Sequence, residues 1–291
     1  MMPGLCPRQL PIVAGVLIAV VFSIQVTIAD NNPVASTGPI SHSGWTFRVA
    51  AENLPGIDNL VTDNAGALYA TQELGKGAGK VIHINRGRTT TVIAGLDRAD
   101  GLLRQGNILF VTEETFQGRI LEFELTTKKM RTLAVLSKPE GIDMFPDGDL
   151  LVSEDIRRGR LVRVRRSGDK PVEVILADLK RPEGVLIRPD GTIIFAETAS
   201  GRVLSYRNGT VTVVVEGLSE PDQVELAADG SLWITEDVRN GRLLRWHDGV
   251  LETVLSGLHY PQGMAFAAGG SVWLAEQGRQ RILLIHSAGG T

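Results

Sequence analysis

The chain has 291 residues and a formal net charge of −3, with 43% hydrophobic and 22% charged residues, a composition that lets a globular protein bury its own core. Acids and bases are interspersed, so no basic stripe marks a nucleic-acid surface and no basic amphipathic helix marks a membrane surface. The single cysteine, Cys6, stands near the N-terminus, which leaves the rest of the chain without disulfides, thiolate metal sites or cysteine nucleophiles.

In chain order, Arg8 precedes an apolar run from Leu10 to Ile24, and Thr27 and Ala29 place small residues ahead of a cleavage point. Residues 1–29 read as a secretory signal, which sends the protein to the periplasm or the exterior. An uncleaved membrane anchor is the alternative, because the apolar stretch approaches the roughly 18 residues of a span. Residues 30–44, with Pro33, Ser36, Gly38, Pro39 and Ser43, read as an extended linker.

From residue 45 onward one unit recurs at about 40 residues, the spacing of propeller blades. Clear copies begin at Pro139 (PEGIDMFPDGDLLVSEDIRRGRLVRV), Pro182, Pro221 and Pro261, and looser copies near Ile57 and Ala99. Each holds four short apolar runs separated by turn signals such as Asn208-Gly209 and Asp248-Gly249, which predicts a four-stranded antiparallel sheet. Asn208-Gly209-Thr210 is formally a glycosylation acceptor and is read as a hairpin turn. The last copy lacks a fourth strand. Trp45 to Leu54 (WTFRVAAENL), ahead of Pro55, matches Val250 to Leu258 ahead of Pro261 and supplies it. The expectation is an all-β, six-bladed β-propeller over residues 45–291, closed by an N-terminal strand that completes the last blade. A parallel β-helix has shorter repeats without two hairpin turns each.

Two columns of the repeat fall on loops that share one face. The first, ahead of the innermost strand, reads Asp58, Asp100, Glu140, Glu183, Asp222 and Gln262. The second, ending the second strand, reads Gln72, Glu113, Glu154, Glu197, Glu236 and Glu276. The second column has bases in register (Lys80, Arg119, Arg160, Arg202, Arg242, Arg281), the pattern of a repeated structural ion pair worth about 0–1 kcal/mol where exposed. The first column has no cation in register. Two carboxylates about 4 Å apart repel by roughly 4 kcal/mol at an effective dielectric near 20. Proton uptake, water or a bound cation would offset this. An all-oxygen cage suits Ca²⁺, while Mg²⁺ and Mn²⁺ accept the same donors. The other reading of this column is that its acids bind backbone amides where the chain enters each blade.

The blade pattern over residues 45–291, with these acids ahead of the glycines that open innermost strands, resembles the calcium-dependent six-bladed propellers of the SMP-30/gluconolactonase/LRE-like group, which shares its repeat with NHL proteins. The resemblance implies a metal held by Asp58, Glu140, Glu183 and Asp222. It also implies that Asp222 is a base or nucleophile in lactone or ester hydrolysis. The chain departs from that pattern at Glu140 and Glu183, where the group usually has Asn, and at Asn59 and Gln223, which replace Gly. Virginiamycin-lyase-like propellers share the wording of Leu232 to Glu236 but carry histidines in the last blades that this chain replaces. His259, beside Tyr260 on a loop feeding the mouth, is a second catalytic candidate as a proton relay. These features together read as an exported, monomeric, metal-dependent hydrolase acting on a small-molecule lactone or related ester. The alternative is a non-catalytic NHL-type propeller that binds a protein, peptide or glycan on its top face.

Overall fold

The computed structural model describes residues 38–63, 65–167 and 171–288. The signal segment and most of the linker lie outside the described residues. Among the described residues no helix is long and apolar enough to cross a membrane.

Alternating apolar residues and two-residue turns produce six antiparallel sheets, each with four blade strands. In blade 4, for example, the strands are Pro182–Ile187, Ile193–Glu197, Arg202–Arg207 and Thr210–Glu216. Asn208 and Gly209, with φ of 50° and 81°, form the tight turn between the last two, as the twist of a two-residue hairpin requires. No blade buries its own faces. Six apolar clusters instead fill the six seams between neighbouring blades. The seam between blades 1 and 6 joins Ile57, Leu60 and Ile82 to Ala265, Ala275 and Ile282, so the ring is closed.

Closure comes from the N-terminal strand. Trp45–Ala51 pairs antiparallel with Arg281–Ser287 as the outer strand of blade 6. Trp45 fastens it to blade 5: its ring meets Trp233 edge-on at 5.1 Å and its indole N–H donates to Glu252 Oε1 at 2.8 Å. Just upstream, Ile40–Ser41 pairs with Val250–Leu258 as a fifth strand on blade 5.

Every innermost strand carries a bulge near its start. The pairing register with the second strand shifts between Ile57 and Leu60, and equivalently in the other five blades. A bulge leaves residues out of the ladder and re-aims their side chains. The residues so released are the first acidic column and its C-terminal neighbours. Thr71, Thr112, Ser153 and Thr235 on the second strands accept the N–H groups freed at Asn59, Gly101, Gly141 and Gln223.

The second column behaves as a set of structural ion pairs. Glu113, Glu154, Glu197, Glu236 and Glu276 bond Arg119, Arg160, Arg202, Arg242 and Arg281. The pairs are not exposed on both sides: the carboxylates are at most 5% exposed and only the arginines reach water. Burial is tolerated because each carboxylate also accepts a backbone N–H, from Asp97, Ser137, Lys180, Ser219 and His259 at 2.8–3.0 Å. Blade 1 explains its own exception. The residue in that register is Pro55, which has no N–H to give, and Gln72 instead donates its amide to the Pro55 carbonyl at 2.7 Å. Replacing Glu154 by Ala strands the Ser137 N–H, and we expect a loss of about 1–3 kcal/mol of stability. A urea titration reads this as a lower midpoint with unchanged slope, whereas an unchanged midpoint contradicts the structural role.

Candidate metal centre

The top-face cup is built by one hydrogen bond repeated in every blade. The residue following the second column donates its N–H to the carbonyl of the residue just ahead of the innermost strand: Glu73 to Gly56, Glu114 to Arg98, Asp155 to Lys138, Thr198 to Arg181, Asp237 to Glu220 and Gln277 to Tyr260, at 2.6–3.0 Å. The accepting residue is left-handed each time, with φ between 45° and 61°. For the five that are not glycine this costs on the order of 1–2 kcal/mol. The link sets two further columns beside the first acidic column. One contains Glu73, Glu114, Asp155 and Asp237, and the other contains Arg98, Lys138 and Arg181.

The result is a cavity of about 170 Å³ lined by nine carboxylates and three bases, formally −6 if all are ionised. The first column is buried throughout, with Asp58 at 3% and Asp222 at 6% exposure. Contrary to the expectation of no nearby cation, Arg181 bonds Glu183 at 2.8 Å and Asp155 at 2.8 Å. Lys138 pairs with Glu114 and Asp155, and Arg98 with Glu114 and Glu73. These bases come from blades 2, 3 and 4. Blade 6 contributes amides instead: Gln277 donates to Asp58 Oδ2 at 3.0 Å and to Glu73 Oε2 at 3.2 Å.

The four ligands implied by resemblance are all in this cup, but they are not equivalent. Glu140, Glu183 and Asp222 offer oxygens within 4.8 Å of one another. Asp58 stands outside that trio, engaged with Gln277 and, at 3.4 Å, with Asn59. His259 does not line the cup. Its ring lies beside Tyr260 at 5.0 Å and its backbone N–H serves Glu276. Glu73, Glu114, Asp155 and Asp237 escaped sequence reasoning, although reading the second column one residue further would have revealed an acid in four of six blades. The three bases stood two residues ahead of the first column.

The departures at Asn59 and Gln223 also find their reason. Gln223 Nε2 donates to Asn59 Oδ1 at 2.7 Å, joining blades 5 and 1. Between them blade 6 has Gly263, where a Cβ would fall 2.6 Å from the Asn59 Cα. The two buried amides pair across this sector, and the intervening blade keeps the glycine that blades 2, 3 and 4 also carry in this register as Gly101, Gly141 and Gly184.

Electrostatics follow from this crowding. Burial, reinforced by neighbouring carboxylates, pushes Asp58, Asp100, Glu140 and Asp222 well above the usual carboxylate range. Burial and the Asp155 charge push Glu183 up to about 8, and burial raises Asp237 to about 6. Asp237 Oδ1 is buried without a hydrogen-bond partner. Two ionised carboxylates 4.8 Å apart repel by about 3–4 kcal/mol at an effective dielectric of 20, a cost that a hard cation with oxygen ligands offsets. The donor set therefore fits such an ion: Glu140, Glu183 and Asp222 offer oxygens within 4.8 Å of one another, as do Glu114, Glu140 and Asp155, and Glu73, Asp100 and Glu114.

A carboxyl whose pKa is raised on folding binds protons that the unfolded chain has released, so its stabilising contribution is present below the unfolded pKa and lost as pH rises through the folded one. For Glu183 that window runs from its unperturbed 4.5 to about 8. In chelator-containing buffer the melting temperature should fall between about pH 5 and pH 8. A flat or rising profile contradicts the crowding.

No family model matches the chain, and no curated protein matches it in sequence. Among solved structures, its fold is similar to that of a gluconolactonase from Xanthomonas campestris at 14% identity and a TM-score of 0.70, covering 85% of this chain and 91% of that one. It is similar to regucalcin, a calcium-binding protein from Agrobacterium tumefaciens, at 16% identity and a TM-score of 0.67, covering 84% and 94%. A catalytically inactive virginiamycin B lyase from Staphylococcus aureus with quinupristin matches at 16% identity and a TM-score of 0.63, covering 83% and 99%. The fold is that of the SMP-30/gluconolactonase-like six-bladed propellers.

Proposed function

We propose that the protein is an exported, metal-dependent hydrolase of a lactone or related ester, acting at the acid cup. The observation that carries the reading is the convergence of Glu140, Glu183 and Asp222 oxygens within 4.8 Å in a buried cavity with six carboxylates more than its bases can neutralise. The fold likeness to a gluconolactonase and to a calcium-binding regucalcin supports it, and the apolar run from Leu10 to Ile24, read as a secretory signal, is the ground for export.

A divalent ion bound by the trio, calcium by the donor chemistry, would supply charge stabilisation at the substrate carbonyl oxygen. The chain's own groups do the rest. Asp222, once ionised, accepts a proton from water as the water oxygen adds to the carbonyl carbon. The ring C–O bond then breaks and the proton passes to the departing alkoxide. Arg181 holds the Glu183 carboxylate by its 2.8 Å bond, and the Asn59–Gln223 pair joins blades 5 and 1.

Calcium added to the chelated protein should raise its melting temperature in a saturable manner, by ligand linkage. Glu183→Gln and Asp222→Asn should each lower kcat/KM for a responsive lactone by about 100-fold or more while the circular dichroism of the fold persists. Full activity in both variants overturns the assignment.

A further inference from the structure

The acid cup is too small to hold a whole substrate. At about 170 Å³ it falls below the roughly 300–1,000 Å³ typical of small-molecule pockets, so it admits a reacting head and leaves the remainder of the molecule outside. A second cavity of about 620 Å³ adjoins it, lined by Arg157, Arg158, Asp178, Lys180, Arg181 and Ala199. Arg181 lines both cavities, and it bonds the Glu183 carboxylate of the cup at 2.8 Å.

The two cavities differ in character. The second exposes mostly apolar surface, drawn from residues that carry four cations against the single carboxylate of Asp178. Arg181 is committed to Asp155 and Glu183 and Arg158 to Asp178. Among the described residues no carboxylate pairs with the side-chain cations of Arg157 and Lys180, and both residues are exposed. Blade 4 makes room for this cavity. Its loop from acid to base, Glu197 to Arg202, is one residue shorter than Glu154 to Arg160 in blade 3 or Glu236 to Arg242 in blade 5. It is wound into a short 3₁₀ turn, Thr198–Ser200, and presents the small Ala199 to the cavity.

We propose that this basic cavity is a subsite for an anionic arm, a carboxylate or a phosphate, on a substrate whose lactone or ester carbonyl enters the acid cup. The inference rests on the hydrolase reading for the head group. An anionic arm alone would be repelled by the cup, and the cations of blades 3 and 4 provide an approach on a flank where that repulsion is opposed. Arg157 and Lys180 are the specificity-determining side chains, and exchange of their charge abolishes the preference. The bidentate fork of Arg157 suits either oxyanion.

The test uses the calcium-loaded wild type and the double variant Arg157→Glu/Lys180→Glu, whose melting temperature is checked first. Three lactones are compared: neutral D-glucono-1,5-lactone, its 6-phosphate, and the carboxylate-bearing D-glucaro-1,4-lactone. Their open-chain acids are titrated by calorimetry as ligands with no ester bond to break. The wild type should favour at least one anionic lactone over the neutral one by about tenfold or more in kcat/KM, and the variant should lose that preference. The better of the phosphate and carboxylate probes identifies the arm. Equal use of neutral and anionic lactones by the wild type overturns the subsite and leaves the hydrolase reading standing. Binding of the phosphorylated or dicarboxylic acid that requires Arg157 and Lys180, without hydrolysis of any lactone, sustains the subsite and overturns the hydrolase reading. Absence of both overturns both.

Discussion

The hydrogen bond between the end of each second strand and the head of each innermost strand is the constraint on which the site depends. It is made six times, from Glu73, Glu114, Asp155, Thr198, Asp237 and Gln277, and it holds the accepting residue in a left-handed conformation that L-residues adopt only when surrounding structure compels it. With the bulge immediately downstream, it turns the chain so that three columns of side chains face one cup. A propeller whose inner strands ran straight would leave alternate residues of each strand on opposite blade faces, where seam packing claims them.

Charge is then distributed by blade. Blades 2, 3 and 4 contribute Arg98, Lys138 and Arg181, and blade 6 contributes Gln262 and Gln277 in place of acids. Blade 5, between these sectors, brings Asp222 and Asp237 to the cup with no base of its own. The outer ring of glutamates follows the opposite rule. Each is buried yet fully served by an arginine and a backbone N–H, so its charge is structural. Identical residue types in adjacent columns thus do different work, and the difference lies in whether donors are fixed beside them.

Much of the architecture was legible because the repeat is written into the chain. The two-residue turns, the alternation and the missing final strand define six sheets and their closure, and Trp45–Ala51 takes the outer place in blade 6. The pairing of Glu154 with Arg160 was legible for the same reason, since strand neighbours follow from register. The acids at Glu73, Glu114, Asp155 and Asp237 were not, because strict alternation would turn the next residue away from the cup. The strand ends there and the backbone bends inward instead. The bases at 98, 138 and 181 were hidden by a left-handed residue that no simple periodicity announces.

What the sequence by itself determined is everything carried by local spacing: blade count, strand order, turn positions, and the presence of acid columns on one face. What only the tertiary structure decided is which members of those columns meet. Glu140, Glu183 and Asp222 converge while Asp58 turns to Gln277, and Asn59 reaches Gln223 across 164 positions of chain. Those distances are set by the closure of the ring. Closure is a global property of six packed seams, so no window of sequence around any one blade contains it.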